Sequence, residues 1–75
     1  MKIPASLEFY DSEDIERLID RWVIFNRHSE RNRAILKRSM IDGICFEPLA
    51  EEFDMSVRQI KNIVYKSQEQ LFKHL

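Results

Sequence analysis

The chain has 75 residues, of which 44% are hydrophobic and 33% are charged, and its formal net charge is −1. These values are ordinary for one small globular domain, and a single glycine with two prolines disfavours a turn-rich β-sheet. One cysteine excludes an internal disulfide and, with only two histidines, a zinc site of the usual spacing, while one glycine excludes a glycine-rich phosphate loop.

Charge is distributed in bands along the chain. Six bases against one acid give residues 21–41 a net charge of +5, and four bases against one acid give residues 55–75 a net charge of +3. The other segments are acidic, because two bases against six acids give −4 in residues 1–20, and five acids give −5 in residues 42–54. A near-neutral total is weak support for nucleic-acid binding, but banding allows one face to be basic while the molecule is not.

The first predicted helix follows an N-terminal arm. Residues 1–10 lack a helical period and contain Pro4, so we expect an arm whose apolar side chains dock on the domain. Asp11 is the predicted N-cap residue, with Asp14 completing a capping box, and helix one is predicted over about residues 12–26. Residues at helical spacing form its buried stripe: Ile15, Leu18, Ile19, Trp22, Val23 and Phe25 or Asn26.

Helix two is predicted over about residues 30–42, with Ser29 as its N-cap and Gly43 as the left-handed residue that ends it. Its polar surface is basic and consists of Arg31, Arg33, Lys37 and Arg38. These side chains are either phosphate contacts or ordinary surface charge, and the sequence leaves both interpretations open.

Two further helices are predicted in close succession. Pro48 fits only the first turn of a helix, so helix three is expected to begin near Phe46 or Glu47 and to stop at Asp54. Ser56 can cap a fourth helix almost at once, and this helix is predicted over residues 57–72. A short helix, a turn of about three residues and an amphipathic helix are typical of a helix-turn-helix motif.

The residue types at the crossing of these two helices fit this motif. Ala50 is small enough to let helix four pass closely over helix three, Met55 fills the turn, and Ile60 and Ile63 attach helix four to the core. The side chains left outside on its first turns are mainly those whose donors match base edges in the major groove. The predicted base contacts are Val57, Arg58, Gln59, Lys61 and Asn62.

The C-terminal half resembles the DNA-binding fourth region of bacterial sigma factors and the small sigma-like helix-turn-helix proteins of phages and mobile elements. The residues that carry the resemblance are IDGICFEPLAEEFDMSVRQIKNIVYKSQEQLF, with an acid–Gly pair, an apolar–Ala–Glu step, a Ser cap and a basic tail. Asp54 stands where the turn usually has glycine, and Val57 where the primary sigma factors place arginine. The resemblance implies that four exposed residues read the promoter −35 element: Val57, Arg58, Lys61 and Asn62.

The sequence therefore predicts an all-α, four-helix domain, with residues 1–10 as an arm, 11–43 as two supporting helices and 46–75 as the motif. Its expected function is sequence-specific binding of double-stranded DNA in bacterial or phage transcription regulation. RNA polymerase and a second copy of the chain are further candidate partners. The predicted phosphate contacts are Arg33, Lys37, Arg38, Ser56, Tyr65 and Lys66. The alternative is a helical adaptor that binds RNA polymerase or a sigma factor without reading DNA.

No enzymatic activity, cofactor, metal or membrane association is expected. Glu51 and Glu52 are adjacent and so point in different directions on a helix, Cys45 has no base beside it in the sequence, and His28 and His74 are expected at the surface. No apolar run approaches the roughly 18 residues of a membrane span. Without a recognisable signal peptide, the cytoplasm is the expected location.

Overall fold

The computed structural model describes residues 10–74, and within this range the chain forms four helices and no strand. The helices are α1 (Ser12–Trp22), α2 (Ser29–Met40), α3 (Phe46–Glu52) and α4 (Val57–Phe72). The predicted all-α, four-helix class is confirmed. The predicted arm lies outside the described residues except for Tyr10, which is exposed.

The N-terminus of α1 is capped by the predicted residue. Asp11 has an extended backbone, and its Oδ1 accepts a hydrogen bond from the Asp14 N–H at 2.8 Å. The Asp14 carboxylate lies 3.5 Å from the Arg17 guanidinium instead of completing the predicted capping box. One half of that box is therefore present, and the other half is replaced by a surface ion pair.

The C-terminus of α1 corrects the prediction of a helix over residues 12–26. The helix ends at Trp22, and the next residue, Val23, is extended and fully buried. The Val23 N–H still donates to the Ile19 carbonyl at 3.0 Å. Side chains of other helices bond the backbone beyond Trp22, because the Val23 carbonyl accepts from Arg33 Nε at 2.8 Å and the Ile24 N–H donates to Gln70 Oε1 at 2.9 Å. The chain therefore leaves the helix where the helical spacing alone predicted one more turn.

The start of α2 also differs from the prediction. The N-cap residue is His28, in the left-handed conformation with φ 59°, while Ser29 is the first residue of the helix. The Ser29 hydroxyl accepts from the Phe25 N–H at 2.9 Å and donates to the Phe25 carbonyl at 2.8 Å. The prediction of Ser29 as N-cap is wrong because its hydroxyl turns back to close the α1–α2 connection.

Left-handed residues close the other two connections. Gly43, predicted to end the second helix, has φ 70°, and the following Ile44 N–H donates to the Arg38 carbonyl at 3.0 Å. Asp54 has φ 53°, a conformation that Asp tolerates better than most residues. The Met55 N–H donates to the Ala50 carbonyl at 2.9 Å and closes the α3–α4 connection, which falls where the sequence predicted it.

A reciprocal capping box begins α4. The Ser56 hydroxyl accepts from the Gln59 N–H at 3.1 Å, and the Gln59 Oε1 accepts from the Ser56 N–H at 2.9 Å. Two backbone N–H groups that a helix start leaves free are thereby satisfied. These two hydrogen bonds fix the start of α4 three residues after the left-handed Asp54.

One apolar core is shared by all four helices. α4 packs most extensively against α2 and α3 and also contacts α1. Ile63, predicted to lie inward, is half-buried at the edge of this core. The buried members are Ile19, Val23, Ile35, Leu36, Leu49, Ala50, Ile60, Val64 and Leu71.

The C-terminal end of α4 is fastened to the end of α1. The Trp22 ring stacks on the His74 ring with centroids 3.9 Å apart, and the Gln70 Oε1 accepts from the Ile24 N–H at 2.9 Å. Trp22 and Phe25, both predicted as core residues, pack against the core but remain partly exposed. The first turns of α4 take no part in these contacts with α1.

Ala50→Leu is expected to lower the free energy of unfolding by about 1–3 kcal/mol, because three added carbon atoms overpack a position that is 7% exposed. Urea denaturation monitored by Trp22 fluorescence measures the change. Glu51→Leu is the matched control, since it places the same side chain at an exposed position of the same helix. Equal midpoints for Ala50→Leu and the parent would show that Ala50 is not closely packed.

Candidate nucleic-acid interface

The outward side of α4 carries the exposed side chains that the sequence singled out. Ile60 and Val64 are fully buried, and this burial sets the rotation of the helix about its axis. We refer to the exposed set as the α4 outer face, which consists of Arg58, Gln59, Lys61, Asn62, Tyr65 and Lys66. Basic and amide groups therefore point away from the core along the first three turns of the helix.

Four members of this face form no ion pair or side-chain hydrogen bond within residues 10–74. They are Arg58, Lys61, Asn62 and Lys66, and all four are exposed. These donors are available to an external acceptor without breaking any contact of the fold.

Three of the predicted DNA contacts are partly used by the fold itself. Val57 is half-buried and packs against the core. Ser56 and Gln59 are exposed, but their side-chain oxygens accept the two hydrogen bonds of the capping box. Sequence reasoning missed this role of Gln59, although a Ser followed three residues later by Gln is a recognised capping signal.

Tyr65 is both packed and accessible. Its ring meets the Phe46 ring edge to face, with centroids 6.2 Å apart and an interplanar angle of 84°, and the residue is 54% exposed. Tyr65 was predicted as a phosphate contact, and the structure adds a packing role to that prediction. The two are compatible, because one side of the ring is held by α3 while the other faces solvent.

The basic residues of α2 contact acids and backbone within the domain. The Lys37 Nζ lies 2.7 Å from Asp20 Oδ1 and 3.5 Å from Glu16 Oε1, both on α1. The Arg33 Nε donates to the Val23 carbonyl at 2.8 Å, at the end of α1. Lys37 and Arg33 therefore bind α2 to α1, a role that their prediction as phosphate contacts did not anticipate.

Arg38 joins α2 to the end of α3. Its Nη2 and Nε donate to the two carboxylate oxygens of Glu52 at 2.6 Å and 3.1 Å, and its Nη1 donates to Asp42 Oδ2 at 3.1 Å. The hydrogen bond to Glu52, followed by that to Asp42, raises the pKa of the Arg38 guanidinium above its usual value. Arg38, predicted as a phosphate contact, is thus occupied by two acids of the fold.

The two acidic bands of the sequence pair with part of the basic band at residues 21–41. Acids of α1, of the α2–α3 connection and of α3 neutralise Lys37 and Arg38 of α2. The α4 outer face has no such acidic neighbours within hydrogen-bond or ion-pair distance in the described part of the chain. The interface that we define therefore consists of α4 alone and leaves out Arg33, Lys37 and Arg38.

Other kinds of site find little support in residues 10–74. No group of three or more His, Cys, Asp or Glu side chains there could hold a metal ion. Cys45 is exposed at the N-cap position of α3, and none of the described helices is long and apolar enough to cross a bilayer.

Comparison of the chain with protein-family models, with curated proteins and with solved structures found no significant match.

Proposed function

We propose that this domain binds double-stranded DNA in a sequence-specific manner, with α3 and α4 acting as a helix-turn-helix motif. The first half of α4 is the recognition helix and enters the major groove, whose width admits an α-helix. In this arrangement Arg58 and Asn62 donate to base edges, while the lysines of the α4 outer face neutralise phosphates.

The charge at the start of α4 is the observation that carries the proposal. α1, α2 and α3 each have acidic residues in the first turn, where they interact favourably with the positive end of the helix. α4 has none, and Arg58 stands in its first turn instead. A cation in the first turn opposes the helix dipole and lowers the stability of the helix. We attribute the presence of Arg58 there to a negatively charged partner at this end of α4.

The resemblance to the fourth region of sigma factors supports a role in bacterial or phage transcription regulation. A single DNA-binding module buries roughly 600–1,000 Å² on DNA, less than larger specific complexes. We therefore propose that RNA polymerase or a second copy of the chain adds to the interface at the promoter, in the cytoplasm.

A second candidate function is a helical adaptor that binds RNA polymerase or a sigma factor without reading DNA. It is favoured by a groove between α1, α2 and α3 whose lining includes three apolar residues, Ala34, Ile41 and Phe53, among charged side chains. Titration of duplex DNA at several salt concentrations separates the two functions, since only a DNA-binding protein loses affinity steeply through counterion release.

Arg58→Ala and Asn62→Ala are each expected to weaken binding to a site selected from random duplex DNA by about 1–3 kcal/mol and to relax the preference at one base pair. Fluorescence anisotropy with the selected duplex and its single-base variants measures both effects. Arg17→Ala is the charge-matched control, because Arg17 lies on α1 beside Glu13 and Asp14. Parental affinity of both variants for every duplex would contradict the proposal and favour the adaptor.

Arg58→Glu is expected to raise the free energy of unfolding by about 0.3–1 kcal/mol while abolishing DNA binding. The carboxylate suits the positive end of α4 but repels phosphates. Urea denaturation and anisotropy measure the two effects, and Arg58→Gln, which has no charge, should be intermediate in both. If Arg58→Glu unfolds at a lower urea concentration than the parent, Arg58 stabilises the fold. Its position is then no evidence for a negatively charged partner.

Arg38→Ala and Lys66→Ala are expected to behave in opposite ways. Loss of the contacts to Glu52 and Asp42 should lower the melting temperature of Arg38→Ala without changing the salt dependence of DNA binding. Lys66→Ala should melt like the parent, but the slope of log affinity against log salt should become shallower by about one. A shallower slope for Arg38→Ala instead would return Arg38 to the interface.

A further inference from the structure

Three side chains of the α4 outer face form a line along the helix. Arg58, Asn62 and Tyr65 are four and three residues apart, so at about 100° per residue they lie within about 60° of one another around the axis. All three are exposed. They cover about 10 Å of helix length, which corresponds to about three base-pair steps of DNA.

Two lysines lie on either side of this line. By the same helical geometry, Lys61 projects about 70° to one side of its centre and Lys66 about 70° to the other. A helix lying in the major groove has base edges in front of it and a phosphate backbone on each side. The central line therefore fits base edges, and the lysines fit phosphates of the two strands.

The chemistry of the line differs from residue to residue. Arginine pairs best with the O6 and N7 acceptors of guanine, and asparagine pairs with the N6 and N7 of adenine. The Tyr65 ring is held by Phe46 and is 54% exposed, so it presents a fixed apolar surface, which suits the methyl group of thymine.

The ends of the line are also defined. Gln59 projects about 100° away from Arg58, and its Oε1 is already bonded to the Ser56 N–H. Glu69 continues the line one turn beyond Tyr65 and is exposed. Its carboxylate would repel phosphates, so the interface ends before this position.

We infer that the DNA site contains a guanine bound by Arg58, an adenine bound by Asn62 and a thymine whose methyl group contacts Tyr65, within about four base pairs. Lys61 and Lys66 bind phosphates on opposite sides of the groove. This inference rests on the proposed function and deepens it. It also reverses two expectations from the sequence, which assigned Lys61 to a base and Tyr65 to a phosphate.

The test begins with selection of bound sites from random duplex DNA by the full chain. In the selected duplex, 7-deazaguanine then replaces guanine, 7-deazaadenine replaces adenine and uracil replaces thymine, one position at a time. The purine changes are expected to weaken binding about fivefold or more, and loss of the thymine methyl group about threefold to fourfold.

Protein variants assign each effect to a side chain. Arg58→Ala should lose its sensitivity to 7-deazaguanine but keep its sensitivity to uracil. Tyr65→Ala should show the reverse. Tyr65→Phe keeps the ring and its contact with Phe46, so it should retain the sensitivity to uracil that Tyr65→Ala loses. Arg17→Ala, on α1 and outside the interface, is the control that should bind every duplex as the parent does.

The possible results separate the inference from the proposed function. If selection returns no motif and affinity does not depend on sequence, the proposed function itself fails. If a motif is returned but lacks the three bases, or if Arg58→Ala still responds to 7-deazaguanine, only the inference is overturned. Equal weakening by Tyr65→Phe and Tyr65→Ala would likewise overturn it, since the hydroxyl would then be the contacting group.

Discussion

Burial of one side of α4 is the constraint on which the rest of the structure depends. Ile60, Val64 and Leu71 have no exposed surface, and they attach α4 to α2, α3 and α1 at once. Because these residues recur at helical spacing, their burial fixes the rotation of the helix as well as its position. The direction in which Arg58 and Asn62 point is a consequence of this packing.

Pairing of charges within the domain determines which basic side chains remain without an acidic partner. Lys37 and Arg38 of α2 are held by acids of α1, of α3 and of the connection that follows α2. A single exposed ion pair contributes little stability, but the bidentate bond of Arg38 to Glu52 together with its bond to Asp42 is of the stronger kind. The larger effect of these pairs here is on the electrostatic surface, since they neutralise two bases of the most basic band of the sequence, whereas Arg58, Lys61 and Lys66 of α4 have no ion-pair partner within residues 10–74.

The start of α4 combines two opposing contributions to stability. The capping box of Ser56 and Gln59 stabilises the first turn, whereas Arg58 opposes the helix dipole in the same turn. A well-capped helix start with an unfavourable charge is the arrangement expected where a rigid element must present a cation. It also separates the residues that build the turn from those proposed to contact DNA, although they are neighbours in the sequence.

Local signals in the sequence were sufficient where one residue decides the backbone. Asp11 and Ser56 as caps, Gly43 as a left-handed terminator and the connection around Asp54 were all predicted at or next to their observed positions. Errors arose where a side chain had two possible uses. Val23 fits the helical stripe by spacing but is buried just past the end of α1, and the Ser29 hydroxyl could cap α2 but bonds back to Phe25.

The sequence by itself thus determined the four helices, their buried stripes and the exposed residue types of α4, because caps and helical periodicity act within a few residues. Only the tertiary structure decided which basic residues remain free. Lys37 meets Asp20 and Arg38 meets Glu52 across 17 and 14 positions of the chain, respectively. Partners this far apart are brought together by packing of the helices, so no local pattern could have removed Lys37 and Arg38 from the predicted interface.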